Sequence, residues 1–295
     1  MSLPFPSKDG TKLYVVGTSI RGELQRYDAK SKQFPPFLGG ISAEFVDFSS
    51  DGQWVAYVSY PEGTLWRSKV DGSERLQLTY PPLYALVPRW SPDGKEIGFF
   101  ESVSGRPDRT YAVSREGGTP RVLMPDDHSL QDDPNWSPDG AKLVFGGAIN
   151  DAASDIPIFD LATHQIFTAP GSHGLFSPRC SPDGRSLAAL SVDLKRVLLF
   201  DFQTQKWAEM ASGAALGFPA WSKDGQHLYL LDLSEPLAVV RIHISDRKLQ
   251  RLVELKNITL TGHFTIWMGL TPDDSLLLLR NAGTQDVYAL DWEEP

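Results

Sequence analysis

A turn that recurs seven times constrains this chain more than any other feature. Asp-Gly pairs stand at Asp9-Gly10, Asp51-Gly52, Asp93-Gly94, Asp139-Gly140, Asp183-Gly184 and Asp224-Gly225, with Asp273-Asp274 as a degenerate seventh copy. The spacings are 42, 42, 46, 44, 41 and 49 residues. A period of that size, with strand-like alternation inside each unit, is that of a four-stranded propeller blade and excludes helical repeats. Two residues before each turn Asp is a hydroxyl: Ser7, Ser49, Ser91, Ser137, Ser181, Ser222 and Thr271. Pro92, Pro138, Pro182 and Pro272 precede the Asp directly. Ser-Pro-Asp-Gly suits a type I turn, with proline presetting φ and glycine taking the left-handed site. Apolar residues flank the turn, with Trp90, Trp136, Cys180 and Trp221 three residues before it and Val55, Ile97, Leu143 and Leu187 four after it. A tight turn between two apolar columns describes a hairpin packed between neighbouring sheets.

The expected fold is all-β: a β-propeller of four-stranded antiparallel blades forming a single domain over residues 1–295. Seven blades are expected, the last incomplete, with six as the alternative. The last unit offers strands around Ile266 to Leu270, Leu276 to Arg280 and Asp286 to Asp291, and no fourth, which leaves an edge open to pairing. Propellers often close by borrowing a strand from the N-terminus, but the few residues before Ser7 are read as the first unit's own inner strand. No stretch of a dozen residues carries a 3.6-residue apolar period, so almost no helix is expected.

Charge narrows the partners. Lys and Arg number 28 against 37 Asp and Glu, a net charge of −9, and no basic run occurs, so nucleic-acid binding is excluded as a leading function. One cysteine, Cys180, excludes an internal disulfide or paired-cysteine metal site; in the tryptophan column, it reads as a small buried hydrophobe. No apolar run is long enough to span a bilayer, so no membrane insertion is expected of this chain, and a monomer is expected. The first nine residues lack the pattern of a signal peptide, which fits either a cytoplasmic protein or part of a longer one.

Trp90-Ser91-Pro92-Asp93-Gly94 and Trp136-Ser137-Pro138-Asp139-Gly140, each followed by a short apolar strand, resemble the TolB-like, WD40-like propeller repeat of bacteria. Cys180 to Gly184 and Trp221 to Gly225 each depart from it at one position. The longer segments also resemble the C-terminal propeller of bacterial winged-helix or kinase sensor proteins. The resemblance implies a propeller that binds a protein partner or small ligand at a mouth of its central channel, as an interaction or sensor module. It also implies a periplasmic or other extracytoplasmic location. Fold analogy alone names no ligand.

The search for chemistry finds no catalytic motif. Gly-x-Ser-x-Gly, both phosphate-binding glycine patterns, His-Glu-x-x-His and the EF-hand loop are all absent. Four residues before the turn Asp, on the innermost strand, a column reads Phe5, Asp47, Arg89, Asn135, Arg179, Ala220 and Gly269. Asp47, Arg89, Asn135 and Arg179 are the candidate ligand-binding residues in the channel, the arginines suited to gripping a carboxylate or phosphate. A structural ion network is the competing reading. At the channel mouth the candidates are Tyr84, Asp126, Asp127, His128, Asp132, Asp133, His173 and His263. The carboxylates from Asp126 to Asp133, read as a loop, have the oxygen chemistry of a hard-cation site such as calcium, although no cofactor is expected. His128, His173 and His263 occupy equivalent loops; convergence on a metal would make a lyase or hydrolase the alternative function.

Overall fold

Each turn works as a small hydrogen-bonded lock, and the locks set the blades. The Ser137 hydroxyl donates to Asp139 Oδ1 at 2.5 Å and accepts the Lys142 N–H at 2.9 Å, while Asp139 Oδ1 also takes the Ala141 N–H. The same contacts recur at Ser7, Ser49, Ser91, Ser181 and Ser222. Gly140 closes the turn at φ 71°, a left-handed conformation glycine adopts without penalty.

The computed structural model describes residues 4–103, 105–124, 131–146, 154–213 and 215–291. Those residues form strands and no helix. An N-terminal hairpin, β1 (Phe5–Pro6) and β2 (Lys12–Ser19), precedes β3 (Gly22–Arg26). Five four-stranded antiparallel sheets follow. The first holds β4 (Ala43–Phe48), β5 (Trp54–Ser59), β6 (Leu65–Lys69) and β7 (Leu76–Gln77). The second holds β8 (Ala85–Trp90), β9 (Glu96–Glu101), β10 (Arg109–Ser114) and β11 (Arg121–Val122). The third holds β12 (Asp132–Trp136), β13 (Lys142–Gly146), β14 (Pro157–Asp160) and β15 (Ile166–Thr168). The fourth holds β16 (Leu175–Cys180), β17 (Ser186–Ser191), β18 (Arg196–Asp201) and β19 (Lys206–Ser212). The fifth holds β20 (Leu216–Trp221), β21 (His227–Asp232), β22 (Ala238–His243) and β23 (Leu249–Glu254). The chain ends with β24 (Met268–Leu270), β25 (Leu276–Asn281) and β26 (Thr284–Asp291).

The propeller and its seven antiparallel sheets are as expected, five of them four-stranded and two three-stranded. The assembly at the chain ends differs from the sequence reading. Residues 284–291 do not add to the last unit. β24 and β25 instead take β3 as a third strand, with Leu279 opposite Leu24, and β26 pairs with β2 in an extra sheet ordered β1-β2-β26. The N-terminus therefore does lend a closing strand, because Leu24, at 0% exposure, joins the same core cluster as Leu277 and Leu279. Inner strands β4, β8, β12, β16, β20 and β24 touch in succession and β24 touches β4, so six sheets close the ring. At the seam Gly52 lies against Pro272, as Gly140 lies against Pro92 and Gly184 against Pro138 elsewhere in the ring. Phe5, assigned by its phase to the channel column, is on the extra sheet and 65% exposed.

The core sits between sheets. Phe99, Phe145 and Phe200 are almost fully buried, and the second strand of each ring sheet is a continuous buried run, as at Val55 to Val58 and Leu228 to Leu231. Burying such side chains supplies about 1.5–3 kcal/mol each, offset by the entropy of ordering the chain.

Candidate functional site

Five of the six inner strands carry a β-bulge at one shared position. Pairing slips between Glu44 and Asp47, Leu86 and Arg89, Asp132 and Asn135, Phe176 and Arg179, and Gly217 and Ala220. The residue six before each turn Asp takes positive φ there: Phe45 at 52°, Val87 at 45°, Asp133 at 45°, Ser177 at 52° and Phe218 at 55°. Non-glycine residues seldom adopt this conformation, and a β-branched valine least of all. A bulge re-aims side chains, so Asp133 as well as Asn135 lines the channel. Asp132 and Asp133 are accordingly residues of β12 and not of a preceding loop, which corrects their assignment.

The channel widens into a cavity of about 830 Å³. Its wall is two-sided. Asp47, Arg89, Asn135, Asp133 and Arg179 lie on four consecutive inner strands, which also contribute Phe45, Val87 and Phe176; on the other side are Phe218 and Ala220 of β20, Met268 of β24 and Trp267 just before it. A second, smaller cavity of about 210 Å³ adjoins Asp47, Arg89 and Asn135 on the side of Trp90 and Trp136.

Both arginines have carboxylate neighbours. Arg179 Nη1 donates to Asp133 Oδ2 at 2.9 Å and to the Pro178 carbonyl at 2.7 Å, and Ser177 donates to the same Asp133 oxygen. Arg89 Nη1 lies 3.8 Å from Asp47 Oδ1. Burial, followed by the nearby Arg179 charge, pushes the Arg89 pKa down; burial raises that of Asp47. The arc is thus a partly compensated ion network, which weakens the reading of two free guanidinium groups awaiting an anion.

The same column stitches the blades together. Asp47 Oδ2 accepts the Trp90 N–H at 2.7 Å, and Asn135 Oδ1 accepts the Cys180 N–H at 2.8 Å. In return Trp136 Nε1 donates to the Arg89 carbonyl and Trp221 Nε1 to the Arg179 carbonyl. Burial raises the Asp132 carboxyl to about 8, helped by Asp133 and Asp108, so it is protonated at neutral pH. Asp132 Oδ1, Asp133 Oδ1 and Arg89 Nε are buried with no protein partner among the described residues. Cys180 is half-buried, and burial pushes its thiol up to about 12, so it has no nucleophilic character near neutrality.

At one side of the cavity two of the candidate mouth residues, Tyr84 and His263, meet beside Glu44, which was not among the sequence candidates. Glu44 is fully buried, its Oε2 accepts the His263 N–H at 2.8 Å, and burial raises its carboxyl to about 7. Tyr84 Oη lies 3.3 Å from His263 Nδ1 and donates to the Pro61 carbonyl, while the Phe264 ring meets Phe45 edge-on at 5.6 Å. This cluster fixes residues 262–266 beside the cavity. Glu44 alternates with the apolar positions of β4, so only its residue type, a carboxylate in an inner strand, hinted at it.

The candidate mouth residues part company. His263 and Tyr84 meet, whereas exposed His173 lies 3.7 Å from Asp155 with neither of them beside it. Asp126, Asp127 and His128 lie outside the described residues. Among the described residues no three His, Cys, Asp or Glu side chains come together to hold a metal ion, and His173 and His263 do not meet in the shared centre that the alternative, metal-assisted reading requires.

No family model matches the sequence, and no curated protein matches it significantly. Solved structures do match. A candidate TolB from Agrobacterium tumefaciens superposes with a TM-score of 0.69 at 20% identity, over 89% of this chain and 99% of that one. The fold is that of a TolB-like β-propeller. TolB from Acinetobacter baumannii gives a TM-score of 0.63 at 20% identity, covering 93% of this propeller and 81% of that chain. A chain of the nidogen/laminin complex gives 0.60 at 14% identity over 80% of this chain and 92% of that one. At such identities the likeness carries the TolB-like fold alone. No helix among the described residues is long and apolar enough to cross a membrane.

Proposed function

We propose that this chain is a non-catalytic binding propeller that takes a protein segment or small ligand in the widened channel, as an interaction or sensor module outside the cytoplasm. The observation that carries the reading is the cavity of about 830 Å³ with a charged arc facing an apolar one. Concave, largely preformed cavities with a few convergent polar groups are where ligands bind. The arginines, being internally compensated, suit a ligand that brings its own hydrogen-bond acceptors on an apolar body better than a bare anion. The likeness to TolB supports a role in binding. Asp47, Arg89, Asn135 and Arg179 would position the polar end of the ligand, and Ala220 leaves room for its body.

A thermal-shift panel of short peptides, amides, sugars and anions tests this. A ligand at a hundred times its dissociation constant adds about 2.7 kcal/mol to stability. Ala220→Trp, which fills the channel, is expected to abolish the shift while circular dichroism stays that of the parent. A panel with no shift, or a shift retained in Ala220→Trp, overturns the channel as the binding site.

A further inference from the structure

Every outer edge of the ring is blunted. β7 and β11 are two residues long and β15 is three. β19 and β23 are longer, but the ladder behind each is broken by a register shift, and each carries charges: Lys206 and Glu209 on one, Arg251 and Glu254 on the other. Short length, bulges and charge are the usual devices that keep edges from pairing. β3, the third strand of the sixth sheet, is covered in part by a bridge from Gln25 to Pro36, continued by one from Asp28 to Gln33 just beyond the strand.

β26 has neither the short length nor the bulge, and its only charges are Asp286 and Asp291. It runs eight residues, pairs with β2 without a register shift, and contains no lysine, arginine or proline. All eight residues are exposed, with Val287 at 71% and Tyr288 at 52%. The sheet behind it is apolar on both faces: Leu13 with Leu290 and Val15 with Tyr288 on one, Tyr14 with Ala289 and Val16 with Val287 on the other. The opposite edge, β1, is two residues long and ends at Pro6.

We propose that β26 pairs with β26 of a second copy of this chain, joining two three-stranded sheets into one six-stranded sheet across a two-fold axis. This departs from the monomer expected of the sequence, and it is independent of the channel reading. Closed two-fold pairing uses the same edge of both copies and leaves none over except the proline-blunted β1 on each side. Side-chain alternation narrows the register. A two-fold perpendicular to the sheet keeps each side chain on its own face only when a residue lies at the axis. Centred on Val287, Asp286 faces Tyr288 and Thr284 faces Leu290; centred on Tyr288, Asp286 faces Leu290 and Asp291 faces Gln285. Neither register sets two carboxylates opposite each other, although Asp286 and Asp291 are the only charges on the strand. Both extend an apolar row across the axis: Val16 and Val287 with their copies in one, Val15 and Tyr288 with theirs in the other.

Light scattering after size exclusion, from low to high micromolar protein, tests the pairing. The parent is expected at twice the 32.7 kDa chain mass. The double variant Val287→Glu, Tyr288→Glu sets like charges opposite each other in either register, with Asp286 adding to the repulsion when Val287 is at the axis, and is expected at the single-chain mass with the parent's circular dichroism. Should that variant fail to fold, cysteine cross-linking decides. Under mild oxidation one of Val287→Cys and Tyr288→Cys is expected to form an intermolecular disulfide, since opposed residues at the axis come within disulfide reach. The parent, whose one cysteine, Cys180, is half-buried in the ring and away from β26, is the non-linking control. A parent monomeric throughout, a species larger than two copies, a folded glutamate variant that stays dimeric, or no cross-link from either cysteine overturns the proposal.

Discussion

At the scale of single residues, opposite charge environments make opposite predictions about pH. The turn aspartates accept hydrogen bonds from their serine and from backbone N–H groups. These bonds lower Asp9 to about 2 and also lower Asp51, Asp93, Asp139, Asp183 and Asp224. Their folded pKa values lie below the unfolded value near 3.9, so their contribution is present above that pH and lost as pH falls through the folded values. The melting temperature is therefore expected to fall steeply below about pH 4, and Ser137→Ala should soften that fall for its turn by removing one donor. Glu44 has the reverse sign. Its folded value of about 7 lies above the ordinary 4.5, so stability is highest below the lower value and is lost as pH rises towards 7. Glu44→Gln should be more stable than the parent at pH 8, by on the order of 2 kcal/mol, with the gain gone at pH 4, as read by urea unfolding. Arg179→Ala leaves Asp133 without its cation in a mostly buried site and should cost about 3 kcal/mol. Removing Asp133 as well should recover part of that, and a double-mutant cycle measures how much.

At the scale of strands and turns, the sequence was legible where one residue performs one local task. Ser, Pro, Asp and Gly each have a fixed place in the turn, so the period, the hairpins and the inner column could be read directly. The bulges were illegible, because Phe45, Val87, Asp133, Ser177 and Phe218 share a conformation and no chemistry. Their slip is why the Asp132–Asp133 pair reads as loop and folds as strand. The partnership of β2 with β26 was hidden for another reason: strand pairing across nearly the whole chain leaves no local trace. Gly63 shows a requirement that only the packed element imposes. Its φ is +70°, and a Cβ there would come within 2.2 Å of the Tyr84 ring. Gly63→Ala should cost about 2 kcal/mol or more through both strain and displacement of Tyr84, measurable as a lower denaturation midpoint with an unchanged slope.

At the scale of the whole molecule, the ring is held shut by the chain's two ends. Leu24 is the plug at the seam, and Leu24→Ala should cost about 3 kcal/mol by opening a cavity between the sixth and first sheets. Deleting residues 284–295 leaves β3 on β25 and should preserve a folded ring, whereas deleting residues 1–28 removes β3, uncovers Leu277 and Leu279 and should abolish cooperative unfolding. The antiparallel ribbon formed by β2 and β26 has a mechanical consequence. At its Lys12–Asp291 end the chain enters β2 and leaves β26, and its Ser19–Thr284 end joins the ring. Tension drawn between Lys12 and Asp291 would therefore load one pair of residues at a time, as a zipper is opened, and not shear the whole ladder at once. The extra sheet would yield at low force ahead of the propeller, and the ring would feel the load only after Thr284 had come away from Ser19.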